Sequence, residues 1–125
     1  MATIKSYTDL QQSKKLAKIL PLESADMSYS FNFDSEIYEI STTSYKSWVV
    51  PKYAQPDNGF GQVIPCWSLA ALLKIIPKPD LVQNSEGTWL IHSWVNAYPW
   101  SVGGYSNPVD ACVAMIEKLK ELNLL

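Results

Sequence analysis

Apolar and polar positions along this chain follow two rhythms, one of three and four residues and one of two. The first marks three helices. From Thr8 to about Leu20, the residues Leu10, Ala17 and Leu20, flanked by Leu16 and Ile19, make an apolar stripe. Thr8 is the expected N-cap, Asp9 complements the positive helix N-terminus, and Pro21 ends the segment. From about Cys66 to Ile76 the run CWSLAALLKII lies between Pro65 and Pro77 and is apolar nearly all round, broken only by Ser68 and Lys74. A helix of that composition has to be covered on most sides, which predicts a central, buried core element over 66–76. The third segment runs from about Pro108 to Leu122. Asn107 suits its N-cap, Pro108 its first turn, and Asp110 the place of a capping-box acid. Val109, Cys112, Val113, Ile116 and Leu119 line its apolar face, opposite Asp110, Glu117, Lys118 and Glu121.

The period of two marks strands. Tyr29, Phe31 and Phe33 alternate with Ser28, Ser30, Asn32 and Asp34, and residues 37–41 and 45–50 continue the pattern. Residues 51–65 have the chemistry of a loop, with Pro56, Asp57-Asn58-Gly59 and Gly61. After them come LVQN, a Ser85-Glu86-Gly87 turn and TWLIHSWV, which read as a hairpin. AYPWSV adds a strand that Pro99 confines to a sheet edge. The order α-β-β-β-α-β-β-(β)-α predicts an α+β fold. It consists of a mainly antiparallel sheet with about three helices packed on one face, the helix at about 66–76 central and buried. No repeat, low-complexity tract or linker divides the 125 residues, so a single domain over 1–125 is expected.

Composition narrows the function classes. A chain that is 47% hydrophobic and 18% charged packs a core, which excludes a disordered protein. No stretch approaches the roughly 18 apolar residues of a membrane span, and no apolar run follows the first charges, so no signal peptide and no membrane partner are expected. The net charge is −2 and every one of the ten cations is Lys. Without Arg the planar fork that reads phosphates and guanine edges is missing, which disfavours nucleic acid as a partner. The charge is uneven: Lys5, Lys14, Lys15 and Lys18 oppose only Asp9 in residues 1–20, whereas residues 21–40 carry Glu23, Asp26, Asp34, Glu36 and Glu39 and no cation. Cys66 and Cys112 form no CxxC, and the chain has one His, so no zinc site is expected. Both cysteines sit in apolar surroundings and read as reduced, buried thiols of a cytoplasmic protein.

Candidate chemistry is sparse. Cys66 at a helix start, with His92 as base, is the one nucleophile arrangement the inventory allows, but Ile64, Trp67 and Leu69 around it favour the neutral thiol. Asp34, Glu36 and Glu39 resemble a solvated strand end more than paired catalytic carboxylates. No catalytic residue, metal site or cofactor is assigned. What stands out is the aromatic content, five Trp, seven Tyr and three Phe. Along TWLIHSWV, Trp89, Ile91, Ser93 and Val95 share one parity and point inward, while Leu90, His92 and Trp94 share the other. Tyr98, Trp100 and Tyr105 follow in a stretch that Gly103-Gly104 leaves mobile. His92, Trp94, Tyr98, Trp100 and Tyr105 are therefore the candidate binding residues, able to stack a planar ligand, a glycan or a partner's apolar side chain. The competing expectation is that these rings wrap the edge of the core.

Three segments, LAKILPLESADMSY, VIPCWSLAALLKIIP and NPVDACVAMIEKLKELNLL, resemble a group of small uncharacterised proteins from gut Bacteroidales and their phages or mobile elements, of the kind solved by structural genomics. The likeness covers most of the chain but consists of helix-core patterns. It implies a cytoplasmic bacterial or phage accessory protein and carries over no functional residue. The expected function is a non-enzymatic binding or interaction module with an aromatic-rich sheet face or edge, its partner a protein or a second copy. The alternatives are a small enzyme using His92 with Cys66 or a carboxylate such as Asp34 or Asp57, and a small structural subunit of a larger assembly.

Overall fold

The computed structural model describes residues 5–47 and 63–125. Part of the strand expected at 45–50 and most of the loop expected at 51–65, Asp57 included, lie outside the described residues. The fold is α+β, with two three-stranded antiparallel sheets and three helices. The chain divides into two compact units, one of Met1–Tyr7 with Leu69–Leu125 and one of Thr8–Ser68.

In the unit of Thr8–Ser68, helix α1 (Leu10–Leu16) packs against β3 (Val63–Cys66), and the sheet has the order β2-β1-β3 with β1 at Met27–Asn32 and β2 at Ile37–Ser41. The cap of α1 is Asp9, one residue after the expected Thr8. Its carboxylate accepts the Gln12 N–H (2.8 Å) while the Gln12 side chain accepts the Asp9 N–H (3.1 Å), a reciprocal capping box. Thr8 is committed elsewhere. It is fully buried, its hydroxyl lies 2.7 Å from Ser13 Oγ and accepts the Trp67 N–H, and its own N–H donates to the Trp67 carbonyl (2.9 Å). Trp67 is sealed as well, with its indole N–H donating to Ser24 Oγ (2.9 Å). Residues 45–47 form a 3₁₀ turn where a strand is expected.

The apolar run 66–76 is divided. Cys66 closes strand β3, and helix α2 runs only from Leu69 to Ile75. The two residues before the helix have their backbones held by other partners, the Trp67 N–H by Thr8 Oγ1 (3.2 Å) and the Ser68 N–H by Asp26 Oδ1 (2.9 Å). Pro65 is tolerated in β3 because β3 is an edge strand, where one side of the ladder needs no donor.

In the other unit, β4 (Asp80–Gln83), β5 (Trp89–Val95) and β6 (Tyr98–Tyr105) form a meander backed by helix α3 (Pro108–Glu121), which also packs on α2. Within α2, Ala71 and Leu72 are buried, whereas α3 buries Val109, Ala111, Cys112, Val113, Met115, Ile116 and Leu119 and supplies most of the core here. Its start follows the sequence signals: Asn107 Oδ1 accepts the Asp110 N–H (2.9 Å), and Lys5 Nζ pairs with Asp110 Oδ1 (2.9 Å).

Candidate functional site

The aromatic candidates are positioned by the β5–β6 hairpin. Its turn is Asn96-Ala97, both with positive φ (54° and 63°), the two-residue mirror-image turn whose twist matches a hairpin. That turn pairs Trp94 with Pro99 and Val95 with Tyr98, and directly paired residues point to the same face. One face, covered by α3, therefore carries Ile91, Ser93 and Val95 together with Val102, Trp100 and Tyr98. The other, the outer face, carries Leu90, His92 and Trp94 with Ser101 and Pro99, and Asp80 and Val82 from β4. Ile91 and Ser93 are sealed, the Ser93 hydroxyl donating to the Pro77 carbonyl.

Gly103-Gly104 serves a different purpose from the mobility expected of it. The register slips by one between Trp89↔Tyr105 and Ile91↔Val102, so the two glycines oppose Leu90 alone in a β-bulge on β6. Gly104 takes the positive φ (85°), and a Cβ on Gly103 would stand 3.1 Å from Leu90 Cβ. The bulge restores Tyr105 to the face of Trp89 and Ile91.

The five candidates consequently do not make one platform. His92, half-buried, and Trp94, 47% exposed, look outward; Trp100 and Tyr105, both half-buried, lie on the helix side with Tyr98, which is 61% exposed. Tyr98 leans against Trp100 (centroids 5.2 Å apart), and the Lys118 ammonium stands 5.6 Å over the Trp100 ring while also donating to the Ser101 carbonyl (3.3 Å). Rings thus flank the hairpin tip on both sides.

The enzymatic alternatives fare differently. Cys66 belongs to one unit and His92 to the other. The Cys66 thiol is buried beside Thr8 and donates to the Thr8 carbonyl (3.4 Å), and burial pushes its pKa up, against the smaller pull of the Thr8 and Ser13 hydroxyls. Cys112, on the buried side of α3, is pushed up by burial to about 12. Both are free thiols held in the protonated form, the opposite of an activated nucleophile. The register lines up Asp80, His92 and Ser101 across three strands of the outer face, with no side-chain hydrogen bond or ion pair joining them. Among the described residues no three His, Cys, Asp or Glu gather as metal ligands, and no helix is long and apolar enough to cross a membrane.

A second aromatic group lies in the unit of Thr8–Ser68. Tyr29 and Phe31 share a face with Tyr38 and Ile40, and Phe33 follows in the turn after β1. Phe31 packs edge-on against Phe33 (5.0 Å) and Tyr38 (5.2 Å), Lys14 Nζ stands 5.5 Å over the Tyr38 ring, and Phe33 is 66% exposed. Ser28, of the opposite parity, is the sealed residue, its hydroxyl donating to the Thr43 carbonyl (2.7 Å). The alternation in the sequence was readable, but it did not say that the aromatic parity runs out into solvent at the hairpin end.

Comparison of the chain with known protein families, with curated proteins and with solved structures gives no match.

Proposed function

We propose that the protein is a non-enzymatic interaction module whose contact surface is the tip of the β5–β6 hairpin, and that its partner is another protein. The observation that carries this reading is the exposure of Tyr98 and Trp94 on opposite sides of one two-residue turn. Small-molecule and sugar sites are concave. A tip with rings on both sides is convex and fits insertion into a partner's apolar groove, where aromatic anchors contribute most of the binding energy. Strand addition at β6 is opposed by Pro99, which lacks an N–H, by the bulge at Gly103-Gly104, and by Lys118 on the Ser101 carbonyl. The reading places the protein in the cytoplasm, where two buried thiols stay reduced.

A photo-crosslinking benzoylphenylalanine in place of Tyr98, in living cells, tests it. The expected result is one discrete adduct, absent when the probe replaces Glu86 at the β4–β5 turn and lost on adding Trp94→Ser. Equal adducts from both positions, or none from 98, refute the proposal. An adduct that forms with the purified protein alone identifies a second copy as the partner.

A further inference from the structure

We propose that the outer side of β2 takes up an extended, lysine- or arginine-bearing segment of another protein as an added strand. This surface belongs to the unit of Thr8–Ser68 and does not rest on the reading of the β5–β6 tip.

Among the described residues, strand β2 is an edge of the order β2-β1-β3. Edge strands present a row of backbone donors and acceptors, and proteins blunt them with short strands and charged side chains, above all with Lys, Pro or a bulge. Ile37–Ser41 reads IYEIS and contains no Lys, Pro or bulge, and its register with β1 runs from Ser28↔Ser41 to Asn32↔Ile37 without a slip. Both sides of the strand offer apolar surface to an incoming chain: Ile40 (39% exposed), paired with Tyr29, on one, Ile37 (56% exposed) on the other. Cross-strand pairing with apolar side chains of an added strand would bury them.

Charge selects the occupant. Asp34, Glu36 and Glu39 surround this edge, all exposed, and none forms an ion pair with a described residue. Two copies pairing β2 against β2 would bring both sets of carboxylates together, and like charges across a ladder are destabilising. A basic strand meets the same carboxylates as counter-charges, and the Lys14 ammonium over Tyr38 shows that the aromatic side of the hairpin accommodates a cation.

The test is fluorescence anisotropy with a labelled peptide of alternating Lys and Val, using the full chain. Binding is expected to weaken roughly tenfold in about 0.5 M salt and roughly tenfold in Glu39→Lys, with Glu39→Gln standing in if the charge reversal unfolds the hairpin. A Glu–Val peptide should not bind, and a Lys–Val peptide interrupted by Pro should bind at least several-fold more weakly. Amide hydrogen exchange along 37–41 should slow on binding. Equal affinity for the Pro-interrupted peptide, unchanged exchange, or sedimentation showing a dimer through β2 overturns the proposal. Trp94→Ser leaves peptide binding unaltered, so this outcome and that of the β5–β6 reading are separate.

Discussion

Ala97 is the residue at which backbone and side chain disagree most plainly, and replacing it should stabilise the protein. It holds φ at 63° in the β5–β6 turn. The left-handed region costs a residue with a Cβ about 1–2 kcal/mol. Glycine removes that cost but gains freedom in the unfolded chain worth about 0.4–1 kcal/mol in the opposite direction. The difference leaves Ala97→Gly more stable by about 0.5–1 kcal/mol, a rise of about 2–5 °C in Tm for a chain of this length. Gly104 supplies the converse experiment. Its φ is 85° and an added Cβ would find nothing within 4 Å, so Gly104→Ala introduces no clash and isolates the backbone term. It should lose the same amount that Ala97→Gly gains. Urea denaturation followed by tryptophan fluorescence reads both, with midpoints moving in opposite directions at unchanged slope. If Ala97→Gly is no more stable than the parent, or Gly104→Ala no less, neither the turn nor the bulge has the backbone conformation that sets the two faces of the hairpin.

Other predictions follow from single contacts. Asn107→Ala removes the acceptor of the Asp110 N–H and should cost about 1 kcal/mol, read as a lower melting temperature of the helical signal in circular dichroism. Ser93→Ala leaves the Pro77 carbonyl without its buried donor and should cost about 1–3 kcal/mol in the same assay. Because burial raises the Cys112 thiol from 9.0 to about 12, the folded chain keeps a proton that the unfolded chain loses. The stability from this group is whole below pH 9 and falls as pH rises towards 12, by at most about 1.4 kcal/mol per pH unit. Comparing wild type with Cys112→Ala in urea at about pH 8 and about pH 10 should therefore show the wild type losing ground by about 1 kcal/mol, and a gap independent of pH would contradict the burial.

What could be read in advance was what is encoded locally. Asn107-Pro108 and the apolar positions of α3 act within one helix, so cap, face and span were all legible. The inward parity of Ile91 and Ser93 was legible for the same reason. The run 66–76 was not, because an unbroken apolar stretch suits a buried strand end as well as a helix. What separates Cys66 from Leu69 is a set of partners distant in sequence, Thr8 for Trp67 and Asp26 for Ser68. One sheet or two was equally hidden, since the β1–β3 pairing joins residues far apart in the chain. The faces of Tyr98 and Trp100 depended on a turn whose Asn-Ala lacks the usual glycine, and on a bulge that reads in sequence as a flexible pair.

On the two proposals made above, the edges of the two sheets would recognise their partners by different chemistry. β6 keeps Tyr98 exposed while its backbone is closed to pairing by Pro99, the bulge and Lys118. A partner there must bind through side chains, so affinity should fall with ring truncation and respond little to salt. β2 is the reverse, an unbroken backbone edge with carboxylates around it. A partner there gains main-chain hydrogen bonds that tolerate many side chains, and selectivity must come from charge, which salt screens. Salt dependence alone therefore distinguishes which hairpin a given partner uses: strong for β2, weak for the β5–β6 tip. A partner lost on Trp94→Ser yet released by salt as readily as the Lys–Val peptide would break that assignment.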